Sequence, residues 1–270
     1  MGQKKIGILT QPLKQNYGGL LQAYALQTVL KRMGYTPIII DRHKVSPKWR
    51  RLASHIKTLL LKGVGRGRSF TYWPSQHEES LVAHHTDYFI NKYIQPKSKR
   101  LYTNKELLDY VTQQKMDAFV VGSDQVWRPC YSPHLPTYFL DFVKDNNRVK
   151  KTAYAASFGV DAWEFSESDT RMAQRLAPLF DAISVREDSG VSLCKEYLKV
   201  DAQHVLDPTL LLAKEDYIAL FEAENEPQSE GDLFTYILDA TAEKSEIIAQ
   251  VANELSLTPF AVQAKTNKRS

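Results

Sequence analysis

Ala118-Phe-Val-Val-Gly-Ser-Asp-Gln-Val-Trp127 opens as a β-rich apolar run, too short for an ordinary helix, and breaks at the small polar triplet Gly122-Ser123-Asp124. The run reads as a strand buried on both faces of a parallel sheet. In an open α/β sheet, ligands bind outside the carboxyl ends of the strands, so Asp124 stands where a ligand would be. Two readings of the triplet are open. It is a ligand-facing tip, or it is a loop in which Ser123 and Asp124 cap the next turn through local hydrogen bonds. Trp127 leans toward the first, because an indole beside a polar mouth can stack on a ring-shaped ligand. A core tryptophan is the alternative.

The amino-terminal residues fit the same sheet. Lys5-Ile-Gly-Ile-Leu9 reads as a strand, followed by a polar loop that ends in Gly18-Gly19. Leu20 to Met33 reads as a helix with Ala23, Leu26, Leu30 and Met33 on one face, stopped by Gly34. Pro37-Ile-Ile-Ile40 is the second strand, closed by Asp41. This strand, loop, helix, strand order has the shape of a nucleotide-type βαβ unit, without the full G-x-G-x-x-G fingerprint of a dinucleotide site. Gly18 and Gly19 would leave backbone N–H groups uncovered at a helix start. That favours an anion by roughly 0.3–1 kcal/mol. Asn16, Tyr17 and Gln22 cluster there as further candidate ligand contacts. The alternative is a tight turn requiring positive φ.

Helices are expected at about Glu78–Ile94, where His84 and His85 would point apart, and at Asn104–Lys115. The proline- and aromatic-rich segment from Arg128 to Phe142 is expected to line a cleft. Lys151 to Ala156 is a further buried strand, ending in Ser157-Phe158-Gly159, a second small polar tip. A helix follows at Asp169–Phe180, then the strand Ala182-Ile-Ser-Val185, which runs directly into Arg186-Glu187-Asp188-Ser189. A guanidinium at a strand end suits a carboxylate or phosphate held by two hydrogen bonds. The alternative is a structural ion pair with Glu187, Asp188 or Asp124. Ser189–Leu198 is a helix, and His204-Val-Leu206 is the last strand before Asp207-Pro208-Thr209 breaks the pattern.

The fold class is therefore α/β, with a Rossmann-like parallel sheet over residues 1–212 and a basic insertion at about 42–75. That insertion, including Leu52–Leu61 as a short helix and the aromatics Trp49, Phe70, Tyr72 and Trp73, reads as a solvated basic loop or as a surface for anionic lipid or an acidic glycan carrier. Residues 213–270 read as the start of a second Rossmann-like domain: a short helix at Glu215–Phe221, a strand at Phe234–Leu238, a helix at Ala242–Leu255 and a strand at Pro259–Val262. A lone βαβ cannot bury both faces of its sheet, so this domain is expected to be cut short or completed by a partner.

Composition narrows the class. At 270 residues, 43% hydrophobic and 24% charged, the chain is long enough for two domains and belongs with globular proteins. A formal charge of +4 is too mild to demand nucleic acid, and suits an anionic small substrate. Cys130 and Cys194 are the only cysteines, which argues against a disulfide framework, and no metal-ligand spacing stands out. No apolar leader follows Met1 and no stretch reaches membrane-spanning length, so the expected location is cytoplasmic, with membrane contact only through the basic insertion.

Five stretches, in this order, carry a resemblance: Asn16-Tyr-Gly-Gly-Leu-Leu-Gln-Ala-Tyr-Ala-Leu26, Val121 to Trp127, Ala153 to Gly159, Ile183 to Ser189, and Val205-Leu-Asp-Pro-Thr209. Together the chain resembles the polysaccharide pyruvyl transferase family. That resemblance implies a GT-B-like pair of Rossmann-like halves. It also implies transfer of a pyruvyl group from phosphoenolpyruvate, as donor substrate and with no cofactor, to the hydroxyls of a saccharide, free or lipid-linked, in cell-surface polysaccharide synthesis. Arg186 matches the family's arginine linked to donor recognition. The family's histidine motif in the second half has no counterpart among the seven histidines, and the chain is expected to end before it, so the resemblance does not by itself imply activity of this chain alone. On this reading Asp124 and Arg186 are the catalytic candidates. Asn16, Tyr17, Gly18, Gly19, Gln22, Gly122, Ser123, Trp127, Ser157 and Glu187 are the substrate contacts. Two other functions fit the same scaffold: a GT-B glycosyltransferase using a nucleotide sugar, and a non-catalytic domain that binds glycan.

Overall fold

The computed structural model describes residues 2–45, 76–224, 229–237 and 239–261. They divide into two compact units, one ending at Leu212 and one beginning at Ala213. Most of the basic stretch, with Trp49, the helix expected at Leu52–Leu61, Phe70, Tyr72 and Trp73, lies outside the described residues.

The first unit is built on six parallel strands: β1 (Lys5–Leu9), β2 (Thr36–Ile39), β3 (Ala118–Val121), β4 (Lys150–Ala156), β5 (Ala182–Val185) and β6 (Gln203–His204), in the order β2-β1-β3-β4-β5-β6. A further segment runs parallel along the β2 edge. The Ile39 N–H donates to the Pro96 carbonyl at 3.1 Å, Ser98 N–H to Ile39 at 2.8 Å and Leu101 N–H to Asp41 at 2.9 Å. Counting this edge, the strand order becomes 3-2-1-4-5-6-7, whose first six places follow the order of the doubly wound Rossmann fold. The order reverses between β1 and β3, which pair from Ile6↔Ala118 to Leu9↔Val121.

Helices cover both faces. Ile6, Ile8, Ile39 and Val120 pack with Leu20, Ala23 and Leu26 of α1 (Tyr17–Arg32) and with Ile90 of α2 (Gln76–Tyr93). Their neighbours along the strands, Leu9, Ile38, Phe119 and Val121, go to the other layer. That layer also holds α3 (Asn104–Gln114), α4 (Glu167–Leu176) and α5 (Asp188–Leu193), the last widening into a π-helical turn over Cys194–Leu198. Alternate strand residues thus face opposite apolar layers, which is why the strands read as unbroken apolar runs.

Several expectations need correction. Helix α1 begins at Tyr17, three residues before the expected Leu20, because the Asn16 side chain caps it by accepting the Gly19 N–H at 3.2 Å. Gly18 and Gly19 lie in its first turn and neither has positive φ, so the tight-turn reading fails. Trp127 is fully buried: its ring stacks on Phe139 at 5.1 Å and 8°, and its indole N–H donates to the Tyr138 carbonyl at 2.9 Å. It is a core residue and offers no face to a ligand. The 128–142 segment does not simply line a cleft. Short 3-10 turns at Leu135–Phe139 and Asp141–Val143 send Tyr138, Phe139 and Leu140 into the core. The His84 and His85 rings do not point apart but meet edge to face at 5.2 Å.

The second unit contains α6 (Lys214–Glu222), β7 (Leu233–Phe234), α7 (Ala242–Leu255) and β8 (Pro259–Phe260), with β7 and β8 parallel. Both strands are shorter than expected, and the expected strand ends at residues 238 and 262 lie outside the described residues. Phe234, Ile247 and Leu255 are more than half exposed here. No helix among the described residues is long and apolar enough to cross a membrane.

Candidate functional site

The carboxyl ends of five neighbouring strands are joined by one hydrogen-bonded network. At the crevice between β1 and β3, the Gln22 amide of α1 donates to the Thr10 hydroxyl at 2.7 Å and to the Gly19 carbonyl at 2.7 Å, and its oxygen accepts the Ser123 N–H at 3.1 Å. Thr10 donates in turn to the Ser123 carbonyl at 3.2 Å, and the buried Tyr138 hydroxyl donates to the Thr10 carbonyl at 3.2 Å. One amide therefore ties α1 to the tips of β1 and β3.

The β3 tip has a constrained backbone. Gly122 has φ +122°, and a Cβ there would come within 2.1 Å of the Tyr154 carbonyl oxygen. Asp124 also has positive φ, at 68°. Its Oδ1 accepts the Gln125 N–H at 2.8 Å, and its Oδ2 lies 3.1 Å from where a Cβ on Gly19 would stand. Gly19 is thus a glycine because the Asp124 carboxylate packs against the first turn of α1. The positive end of a helix attracts a carboxylate at such a place.

Asp207, just past β6, is the centre of the network. Its Oδ1 accepts the Thr209 N–H at 2.9 Å and the Thr209 hydroxyl at 2.8 Å. Its Oδ2 accepts the Ser123 hydroxyl at 3.0 Å and Arg186 Nη1 at 3.1 Å. Burial opposes ionisation of Asp207, but the Thr209, Arg186 and Ser123 hydrogen bonds outweigh it and hold the carboxyl below its ordinary value. Arg186 Nε donates to Glu187 Oε1 at 3.2 Å, which also accepts the Ser157 hydroxyl at 2.7 Å. Burial works against the Arg186 charge, but the bond to Asp207 and the Glu187 carboxylate hold the guanidinium above its ordinary value. Ser157 N–H donates to the Asp124 carbonyl at 3.1 Å, closing the circuit back to β3.

The sequence candidates sort by exposure. Asn16, Tyr17 and Gly18 are exposed, and Gly19, Arg186 and Glu187 are partly so. Asp124 is only 9% exposed. Ser123, Ser157 and Gln22 correct the expectation of direct contact: all are buried, and their polar groups are engaged by Asp207, Glu187 and Thr10. They brace the tips. Gly122 is buried against Tyr154, and Trp127 stands behind the site in the core. Arg186 realises the ion-pair alternative with Glu187 and adds Asp207, while its Nη2 has no protein partner among the described residues. Asp124 Oδ2 and Glu187 Oε2 likewise have none. Sequence reading did not list Asp207 or Thr10. In the sequence Asp207-Pro208-Thr209 reads only as a break after the last strand, which hides the long-range bonds.

Chemically, the cluster offers unengaged guanidinium N–H groups, two unengaged carboxylate oxygens and the first turn of a helix. No group of three or more His, Cys, Asp or Glu side chains among the described residues is gathered as metal ligands would be. A family model described as polysaccharide pyruvyl transferase matches residues 16–254. No curated protein matches the chain. The chain belongs to the polysaccharide pyruvyl transferase family.

Proposed function

We propose that this member of a transferase family moves the pyruvyl group of phosphoenolpyruvate onto two hydroxyls of a saccharide, free or lipid-linked, within a cell-surface polysaccharide pathway. The observation that carries the reading is the Arg186 guanidinium, fixed at Nε and Nη1 by Glu187 and Asp207 with Nη2 left over, on the same edge of strand ends as Asp124. A guanidinium fork suits the donor carboxylate. The first turn of α1, at Tyr17 and Gly18, suits the donor phosphate.

Ketal formation needs two new C–O bonds at the central carbon of the donor. The bond between that carbon and the bridging oxygen of the phosphate breaks, and inorganic phosphate leaves with that oxygen. Of the two hydroxyl protons released, one ends on the methylene carbon, which becomes a methyl group, and one ends on the phosphate. In this reading Asp124 and Glu187 accept hydrogen bonds from the two acceptor hydroxyls. Asp124 is the acid or base for the proton that reaches the methylene carbon. The free oxygens match the two hydroxyls in number. The two units of the chain are read as parts of two Rossmann-like halves of a GT-B-like enzyme.

The test is phosphate release from phosphoenolpyruvate with and without saccharide acceptors. Acceptor-dependent release is expected. Stabilisation against heat by nucleotide sugars, with none by phosphoenolpyruvate, would instead favour a glycosyltransferase. Arg186→Ala should raise the donor KM sharply or abolish turnover, and unchanged kinetics would remove Arg186 from the site.

A further inference from the structure

We infer that Asp207 is the positioning residue of this site, orienting the Arg186 guanidinium and locking the β3 tip to the β5 tip without itself taking part in proton transfer. The inference rests on the reading of Arg186 as the donor contact, and its test separates the two.

The carboxylate is built into place by its own backbone. Asp207 is the N-cap of the 3-10 turn Pro208–Leu211, and both the N–H and the hydroxyl of Thr209 bind Oδ1. Pro208 at the first position of that turn fixes φ, so the anchor is stiff before any long-range contact is made. The opposite oxygen then meets two side chains from different strands, Ser123 at 3.0 Å and Arg186 at 3.1 Å. The Ser123 hydroxyl is fully buried, so this contact sets the backbone that leads directly into Asp124.

A carboxylate has about four acceptor positions. Here all four are filled, by Thr209 twice, by Ser123 and by Arg186. A substrate proton has no open position on Asp207, in contrast with Asp124 Oδ2 and Glu187 Oε2. This is why the residue positions and does not catalyse. Its effect on Arg186 is directional. With Nε held by Glu187 and Nη1 by Asp207, the guanidinium plane is fixed at two corners and its remaining N–H groups keep one heading. With Glu187 alone, the plane can swing.

The experiment compares the unsubstituted protein with Asp207→Asn, Thr209→Val and Arg186→Ala, using phosphoenolpyruvate with acceptor, rates being normalised to folded protein. Asp207→Asn should lower kcat on the order of 10- to 100-fold, the range expected when a reacting group is misplaced by about 1 Å. The donor KM should not rise, because a negative charge has been removed beside a trianionic donor. Arg186→Ala should raise KM. A merely structural Asp207 would reduce the folded fraction and leave both constants per folded molecule at wild-type values, and that result overturns the inference. Thr209→Val removes one of the two Oδ1 anchors and keeps the charge. It should move kcat in the same direction by a smaller factor, and it keeps the test alive if Asp207→Asn does not fold.

A second readout does not depend on the donor. Phenylglyoxal modification of Arg186, followed by peptide mass spectrometry, should be several-fold faster in the folded Asp207→Asn or Thr209→Val chain than in wild type. Equal rates overturn the positioning role. Faster modification in a chain that never consumes phosphoenolpyruvate supports the positioning role and refutes the donor reading.

Discussion

Gly122→Ala places a methyl group where the β3 tip has no room. The new Cβ would stand 2.1 Å from the Tyr154 carbonyl oxygen and 3.1 Å from its carbon. Ordinary carbon–oxygen contacts begin at about 3.3 Å, so one backbone must yield by roughly an ångström. Neither partner is a rotatable side chain. Tyr154 lies in β4, whose neighbour Ala155 is held through its N–H by the Ser184 hydroxyl at 3.2 Å. The φ of +122° adds a conformational term of about 1–3 kcal/mol for any residue with a side chain. Overpacking adds about 1–3 kcal/mol, for a total of about 2–6 kcal/mol against a typical domain stability of about 5–15 kcal/mol.

Gly34→Ala supplies the control. Gly34 has φ +87° after α1, and nothing lies within 4 Å of its missing Cβ, so only the conformational term applies, about 1–2 kcal/mol. Urea unfolding followed by far-ultraviolet circular dichroism should show Gly122→Ala as the more destabilised of the two by about 1–3 kcal/mol. If the two variants lose equal stability, the Tyr154 carbonyl does not abut Gly122, and the account of how Ser123 and Asp124 are held collapses.

Gly19→Ala should leave stability within about 1 kcal/mol of wild type, because the better helix propensity of alanine offsets the contact with Asp124. Turnover should fall as the carboxylate is pushed off the α1 terminus, and full activity would show that Asp124 need not approach that turn. Trp127→Ala should lose about 3–5 kcal/mol, the range for a buried aromatic; a marginal change in the unfolding midpoint would return Trp127 to the list of ligand contacts. Asp207 titrates below its unfolded value, so its stabilisation is complete above the ordinary carboxylate range and is lost as pH falls through the depressed folded value. Asp207→Asn should accordingly be less stable than wild type at pH ~7 and equal to it once the pH lies below the folded value, measured by unfolding in paired buffers; a gap that persists in acid would trace to packing.

Local chemistry made some elements legible and concealed others. β5 and α7 were read with their observed limits, Ala182–Val185 and Ala242–Leu255, because each is bounded by residues that stop it: Arg186 at the strand end, and the Thr241 cap before the helix. The start of α1 was missed because glycine is a poor helix former, and Gly18-Gly19 resembled a loop. The reason for Gly19 lies about a hundred positions away, in Asp124. The edge segment beside β2 is invisible in the sequence because Pro96-Lys-Ser-Lys-Arg-Leu101 has no apolar run, and it joins the sheet chiefly through its backbone. Trp127 was misread for the same kind of reason. Its burial is decided by Tyr138 and Phe139, residues that arrive through a turn no local pattern announced.

The polar network at the sheet edge is not explained by stability. A hydrogen bond contributes only about 0.5–1.5 kcal/mol net, and a buried ion pair is often no better than apolar residues of the same volume. Gln22, Thr10, Ser123 and Ser157 are nevertheless all buried, each engaged by groups from other strands or loops, and Arg186 lies between two carboxylates. What such an arrangement supplies, and an apolar one does not, is direction: each donor and acceptor fixes the heading of the next. All of these groups lie along the carboxyl edge that begins where the strand order reverses, and there Asp124 Oδ2, Glu187 Oε2 and Arg186 Nη2 have no protein partner among the described residues. Two carboxylates, Glu187 and Asp207, hold the one guanidinium there, so the cluster suits a single donor carboxylate and a pair of neutral hydroxyls better than it suits a whole trianion. The phosphate of the donor must then be balanced by groups beyond these, the first turn of α1 among them.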